Sequence, residues 1–174
     1  TFRTAAGAPL RLSVNGGVTS TLTATIAPNA TLEISPGDPP ESAVTGWAEV
    51  RGAGALSGYA VYRYGSAETA APLQTAGAAL TLPFDNTGGN ETTVGLANSG
   101  ADEGSLTVTI WDDAGTQLGA PVVLIGASGH VDFSVGALLP AAAGKRGTLR
   151  VQGAVTGIAL RVHPSGTLAA LPPL

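Results

Sequence analysis

The residue types that could carry out catalysis are few in this chain, and their spacing forms no catalytic set. The sequence has two histidines, His130 and His163, and no cysteine. Hydrolysis by a nucleophile needs a base beside that nucleophile. No segment, Ser128-Gly129-His130 included, has the pattern of a nucleophile elbow. We therefore predict a protein that is not an enzyme. A cleft that held either histidine together with a carboxylate would favour catalysis instead.

Glycoside hydrolysis requires two convergent carboxylates. Asp112 and Asp113 are adjacent, so on a strand they would face opposite ways, and a turn explains both. Glu33, Glu49 and Asp132 occupy polar positions of alternating segments. We predict that these three side chains face solvent.

Residues 85–91 (DNTGGNE) place several oxygen-bearing side chains close together. Calcium is bound by such oxygens, which makes Asp85, Asn86, Asn90 and Glu91 candidate ligands and Ca²⁺ the one candidate cofactor. The segment lacks the EF-hand pattern. The alternative interpretation is an Asx-turn loop that joins two units, with its glycines at positive φ.

Aromatic side chains beside polar ones can stack on sugar rings. Tyr62 and Tyr64 share one face of a predicted strand by period-two alternation, and Arg63 lies between them. These three residues form the predicted ligand-binding group, with polysaccharide as the ligand. We predict that Trp47 and Tyr59 pack in a core instead.

Arg63 and Arg161 occupy corresponding positions in two similar segments. We interpret each arginine as one partner of an ion pair that holds its strand in place, with Glu49 or Glu68 as a candidate partner.

Two Asn-X-Thr sequences match the N-glycosylation acceptor pattern. They begin at Asn29 and Asn90, and both fall in predicted loops.

The composition argues against several partners and fits an extracellular location. Charged residues make up 11% of the chain, the net charge is −4, and Lys145 is the only lysine. No basic patch can form, so we expect no binding to nucleic acid. No apolar run approaches the length of a membrane span, so we expect no membrane insertion. The absence of Cys and Met, both prone to oxidation, fits an exported bacterial protein. Because Thr1 is not a start methionine, we expect a processed chain or a piece of a longer one.

Short segments of alternating apolar and polar residues, bounded by Gly, Pro, Asn or Asp, predict an all-β fold. Residues 136–144 are expected to form one short helical turn. A hairpin turn is predicted at residues 111–115 and a type I′ turn at Asn15-Gly16. The predicted strands cover residues 10–14, 21–26, 31–34, 47–50, 59–64, 93–97, 105–111, 121–125, 130–135, 148–151 and 158–162.

An internal repeat indicates two related units. Its offset is about one hundred residues, the size of one small sandwich domain. We predict two antiparallel β-sandwich units of immunoglobulin or fibronectin type in tandem, residues 1–78 and residues 79–174. The matching segments are GWAEVRG (46–52), LSGYAVYRYGS (56–66) and AAPL (70–73) with RGTLRVQG (146–153), VTGIALRVHPSG (155–166) and LPPL (171–174), and also 25–34 with 123–133.

The repeat also predicts that the first unit lacks its initial strands, the counterparts of residues 93–97 and 105–111. Thr1-Phe2 corresponds to the end of the second of these strands, and residues 5–7 correspond to the turn at 113–115. We expect the missing strands upstream in a parent chain or in a neighbouring molecule. If they are absent altogether, the open edge could accept an added strand.

Several motifs resemble a C-terminal region found in large secreted proteins of soil bacteria of the acidobacterial type. The motifs are LPFDNTGG (82–89), VGLANS (94–99), AGKRGTLRV (143–151) with the terminal LPPL, and the matching GWAEV, LSGYAVYR and AAPL of the first repeat. The resemblance implies a tandem β-sandwich fold at an extracellular location, and it implies no activity. In that family the first repeat is complete, whereas this chain begins inside it.

Together these features predict a non-catalytic structural or adhesive module, secreted or at a bacterial cell surface. One version is a fibre or stalk subunit assembled by edge-strand contacts near residues 1–26. Its partners would be other modules of the parent protein or copies of itself. The alternative is a carbohydrate-binding module appended to a secreted enzyme, with polysaccharide as its partner.

Overall fold

The computed structural model describes residues 1–37 and 44–174, and these residues form an antiparallel all-β structure, as predicted. One short helix, α1 (Val135–Leu138), is followed by a 3-10 turn at Pro140–Ala142, which confirms the predicted helical turn. The strands are β1 Phe2–Thr4, β2 Leu12–Val14, β3 Gly17–Thr19, β4 Gly46–Ala48, β5 Tyr59–Tyr64, β6 Ala67–Pro72, β7 Gly77–Asp85, β8 Glu91–Ala97, β9 Gly104–Asp112, β10 Gln117–Gly119, β11 Val122–Ile125, β12 His130–Ser134, β13 Arg146–Val162 and β14 Leu168–Leu171.

Strands β7 to β14 form one eight-stranded sheet that curls into two layers. The first part of β13 pairs with β7 and β9, and its second part pairs with β8 and β14. The change falls near Gly153, whose φ is 143° and beside which the register with β7 shifts. Glycine reaches this φ without steric cost, so one long strand serves both layers. The separate strands predicted at 148–151 and 158–162 are therefore one strand.

The hydrophobic core lies between these two layers, in what we call the C-terminal half (residues 77–174). Strict alternation turns every second side chain of a strand inward. Leu106, Val108 and Ile110 of β9 and Val94 and Leu96 of β8 are all buried in this core. The period-two pattern of the sequence is confirmed for these strands.

The remaining described residues, 1–37 and 44–76, make up what we call the N-terminal half. Their strands form three separate two-stranded sheets, β1–β4, β2–β3 and β5–β6. Within this half, as far as the structure describes it, the buried hydrophobic residues are Val14 and Ala71. The prediction of strands at 21–26 and 31–34 is wrong, because neither segment pairs as a strand. A strand needs a neighbour to satisfy its backbone groups, and no neighbouring strand is offered to them by the described residues.

The predicted turns have the expected backbone geometry. Asn15 and Gly16 have φ values of 49° and 81°, as a type I′ turn requires. In the hairpin after β9, Gly115 has a φ of 79°, and its N–H donates to Asp112 O at 3.0 Å.

Two turns of the sequence repeat have similar backbone geometry in both copies. The turn after β1 repeats the one after β9: Gly7 has a φ of 85°, and its N–H donates to Thr4 O at 2.9 Å. Residues 27–30 and residues 126–129 form a second pair of similar turns. In each turn, the N–H of the fourth residue donates to the carbonyl oxygen of the first at 3.0 Å. In each of the two, the third residue, Asn29 or Ser128, has a positive φ.

Strand pairing follows the same repeat. Gly46 of β4 lies opposite Thr4 of β1, just as Gly147 of β13 lies opposite Asp112 of β9. A Cβ on either glycine would strike the backbone carbonyl of the opposing strand. This close approach explains why glycine opens both copies of the motif.

Each copy of the repeat ends in an antiparallel hairpin. Ala60 of β5 pairs with Ala71 of β6, and Ala159 of β13 pairs with Leu171 of β14. The matched segments LSGYA (56–60) and VTGIA (155–159) make Ala60 the counterpart of Ala159.

Hydrogen bonds join the two halves. Trp47 Nε1 donates to Ser128 O at 2.9 Å, and His130 N donates to Ala5 O at 2.9 Å. Trp47 is half-buried at this junction, which anchors β4 to the turn before β12.

Candidate functional site

A wide cleft of about 1180 Å³ lies between the two halves. Small-molecule pockets hold about 300–1,000 Å³, so the cleft is larger than that class of site. One wall comes from the N-terminal half, and the other is the outward face of the layer that contains β8, β12 and the second part of β13. Residues of the two walls include Phe2, Trp47 and Tyr62 on one side and Thr93, His130 and Ile158 on the other.

The cleft brings His130 and Asp132 together, which is the condition that would favour catalysis. His130 Nδ1 lies 3.7 Å from Asp132 Oδ1, too far for a hydrogen bond. Burial lowers the pKa of His130, and the Asp132 charge raises it by less. Nδ1 is buried without a hydrogen-bond partner among the described residues. No described hydroxyl bonds to this imidazole either, so a nucleophile–base pair is not formed.

His163 lies in a surface turn, in which Gly166 N donates to His163 O at 2.9 Å. Its Nδ1 is 2.7 Å from Ser165 Oγ and its Nε2 is 3.1 Å from Gly88 O. The imidazole thus ties the β13–β14 turn to the loop after β7.

The loop at residues 85–91 uses its polar side chains internally. Asp85 Oδ1 accepts hydrogen bonds from Thr87 N at 3.0 Å and Thr87 Oγ1 at 2.6 Å, which is an Asx turn. Asp85 Oδ2 accepts from Arg161 NH1 at 3.0 Å. The loop connects β7 with β8 inside the C-terminal half, so the expectation that it joins two units is wrong.

The other candidate calcium ligands have separate tasks. Buried Asn86 accepts from Thr92 N through Oδ1 and donates to Ala142 O through Nδ2. Asn90 Nδ2 donates to Thr87 O at 2.8 Å, and Glu91 is exposed. Within residues 1–37 and 44–174, no group of three or more His, Cys, Asp or Glu side chains could hold a metal ion.

The Asp85 carboxyl has a pKa below its ordinary value, first because Thr87 donates to it and also because Arg161 does. A depressed pKa stabilises the fold above the unfolded-state pKa, and this contribution is lost as pH falls through the folded-state pKa. We expect Thr87→Val to raise the Asp85 pKa and to reduce the acid resistance of the fold. Carboxyl chemical-shift titration and acid unfolding measure the two effects.

Thr116→Val is the matched control for this prediction. The backbone N–H of Thr116 donates to Asp112 Oδ1 at 2.9 Å. Removal of the Thr116 hydroxyl should therefore leave the pKa values of Asp85 and Asp112 unchanged. An unaltered Asp85 pKa in Thr87→Val would contradict the expectation.

The proposed sugar-binding residues do not form one exposed platform. Tyr64 is 57% exposed, whereas Tyr62 is half-buried in the cleft wall, where burial raises its pKa. Tyr59 is 72% exposed, so the prediction that it packs in a core is wrong. It lies on the face of β5 that points away from the cleft.

The predicted ion pairs are present. Arg63 Nε lies 2.7 Å from Glu68 Oε2, its partner across the β5–β6 hairpin. Both side chains are more than half exposed, so the pair contributes little to stability. Arg161 pairs with Asp85, a partner that the sequence did not suggest.

The two arginines are not equivalent in position. With Ala60 matched to Ala159, Arg161 lies two residues after its alanine and shares its face. Arg63 lies three residues after its alanine and points to the opposite face. The expectation of equivalence is wrong by one residue.

The two sequons differ in accessibility. Asn29 is exposed at the tip of its turn. Asn90 is half-buried, and its amide nitrogen is engaged with Thr87 O.

Sequence reasoning missed the cleft itself, because the residues that line it are distant along the chain. It also missed buried Asn98, whose Nδ2 donates to Asp102 O and Gly126 O and whose Oδ1 accepts from Gly100 N. The sequence Asn98-Ser99-Gly100 directly after a strand is a signal that could have indicated this loop.

Comparisons with protein-family models, with curated proteins and with solved structures found no match for this chain. No helix within the described part of the chain is long and apolar enough to cross a membrane. The fold defines the chain as an antiparallel all-β protein whose larger sheet curls into two layers around one core.

Proposed function

We propose that this chain is a non-catalytic structural or adhesive module of a bacterial extracellular protein. It is built on two related β-sandwich units of immunoglobulin or fibronectin type, residues 1–78 and 79–174. The N-terminal unit joins neighbouring modules or copies of the chain through added β-structure. The resemblance to secreted soil-bacterial proteins and the composition support the location.

One observation carries the proposal: the two halves expose apolar side chains very unequally. In the C-terminal half, the exposed large hydrophobic residues are Val122, Leu124 and Leu174. Monomeric proteins rarely leave large contiguous apolar patches in water, and such patches mark interaction surfaces. In the N-terminal half, the exposed large hydrophobic residues are Val18, Ile26, Leu32, Ile34, Val44, Val50, Leu56, Tyr59, Val61, Tyr64 and Leu73.

The β5–β6 hairpin supports the mode of contact. β5 pairs with β6 on one side, and the described residues offer no strand to its other side. Its sequence, YAVYRY, is rich in β-formers, carries one charge and has no Pro or Gly. An exposed edge of this kind is a template for another strand.

The carbohydrate-binding alternative has weaker support. It needs a flat aromatic group beside polar side chains, and Tyr62 is turned into the cleft wall while Tyr64 is exposed. Calcium binding has no separate observation in its favour, since Asp85 and Asn86 are already engaged in hydrogen bonds.

Light scattering over a range of concentrations tests the proposal. We expect the mass of the particle to rise above the 17.0 kDa of one chain. The double variant Val50→Thr, Leu56→Thr should remain monomeric at the same concentrations, because it makes the exposed surface of the N-terminal half polar.

Val122→Thr, Leu124→Thr is the matched control, since these exposed side chains, at 59% and 76%, belong to β11 of the C-terminal half. It should associate like the unaltered chain. A particle that stays monomeric throughout, or association that depends on β11 instead, refutes the proposal.

A further inference from the structure

We infer that the cleft is the unfilled interior of the N-terminal half and that it takes up a pair of β-strands with the chemistry of residues 91–108 of this same chain. The inference rests on the proposed function and names the partner: an alternating, charge-poor strand pair donated by another polypeptide segment.

Matched positions of the repeat show that the interior is unfilled. Val50 is 48% exposed, while its counterpart Val151 is fully buried. Leu56 is 47% exposed, while its counterpart Val155 is 2% exposed. Both Val50 and Leu56 line the cleft. The side chains that make a core in one half thus face open space in the other.

Further positions follow the same rule. Ile26 is 40% exposed, and the isoleucine that occupies its place in the second copy, Ile125, is 3% exposed. Phe2 and Ala60 line the cleft where Ile110 and Ala159 are fully buried.

What covers these positions in the C-terminal half is a specific pair of strands. Val94 and Leu96 of β8 and Leu106 and Val108 of β9 supply the inward side chains. In the N-terminal half, β1 begins with the counterpart of Ile110, and the described residues contain no counterpart of these four.

The unpaired backbone lies where the same strands would bind. β8 pairs with the second part of β13 and with β12, and β11 pairs with the beginning of β9. The counterparts of these three partners are β5, residues 31–34 and residues 22–26. All three lack a strand on the corresponding side among the described residues.

The chemistry of the occupant follows from these walls. The side chains of the occupant that point into the cleft must be apolar, and they must alternate with polar ones. Pairing with the strands of the N-terminal half fixes which face of the added strands points inward. Charge must be absent from the inward positions, since an unpaired charge in this interior would be desolvated. An intact second copy cannot supply such a strand, because its β8 is already paired along both edges.

A synthetic peptide of residues 90–108 tests the inference with the full chain. In a Trp111→Phe variant, Trp47 is the remaining tryptophan, and it lines the cleft. We expect saturable binding seen in Trp47 fluorescence and loss of self-association. Hydrogen exchange should slow by at least about tenfold at residues 22–26, 31–34 and 59–64.

A control peptide carries Val94→Asn, Leu96→Asn, Leu106→Asn and Val108→Asn and should not bind. Equal binding of the two peptides, no saturable binding, or protection confined to the C-terminal half overturns the inference. The failure of the proposed function is seen separately, because self-association and the effect of Val50→Thr, Leu56→Thr are measured without peptide.

Discussion

Ile125→Ala is expected to lower the free energy of unfolding by about 2–5 kcal/mol, whereas Ile26→Ala should change it by less than about 0.5 kcal/mol. The residue type is the same, and the repeat gives both residues the same place in their units. They differ in burial, since Ile125 is 3% exposed and Ile26 is 40% exposed. Alanine leaves a cavity at the first site and removes little packing at the second. Urea unfolding followed by circular dichroism measures both values.

The same two variants also show whether binding of the strand-pair peptide buries Ile26. With the strand-pair peptide bound, Ile26 should become a buried contact, so Ile26→Ala should weaken peptide binding while Ile125→Ala should not. Equal losses of stability in the free protein would contradict the view that one half is packed and the other open.

Gly147→Ala is expected to cost about 1–3 kcal/mol or more of stability, because it overpacks a site with no room. A Cβ there meets the carbonyl oxygen of Trp111 and the backbone of Asp112, and neither can rotate away as a side chain could. Strand β13, which lies at the centre of the curled sheet, would have to separate from β9.

Gly126→Ala serves as the control, because a Cβ at Gly126 would meet nothing within 4 Å. It should unfold at nearly the same denaturant concentration as the unaltered chain. Gly46→Ala creates the matching clash with Arg3 O. That variant should disturb the β1–β4 pair and leave the unfolding of the C-terminal core almost unchanged.

Some turns and strands of the fold were predictable from the sequence, and others were not. The turns at Asn15-Gly16 and Asp112 to Gly115 were predictable, because their φ values depend on residue type within a few positions. Strands β8, β9, β11 and β12 were predictable because alternation indicates which face is buried, whereas β7, β10 and β14 were not among the predicted strands. Residues 21–26 alternate in the same way, yet they form no strand, since alternation does not supply a pairing partner.

The candidate site was less predictable from sequence than the fold. The Asx turn at Asp85 follows from local sequence, but its ion pair with Arg161 joins residues far apart along the chain. The exposure of Tyr59 and the partial burial of Tyr62 depend on what lies opposite β5, and neighbouring residues do not decide that.

By itself, the sequence determined the strand periodicity, the turn geometry and the duplicated pattern, because each depends on contacts or steric limits within a few residues. Tertiary structure alone decided that β13 changes partners near Gly153 and belongs to both layers. It also decided that the buried core residues fall within positions 82–159 of the chain. It also decided that Val50 faces an open cleft where Val151 is buried. Burial is a property of both surfaces in a contact, so a segment can repeat its sequence faithfully and still differ in environment when its partner strands are not beside it.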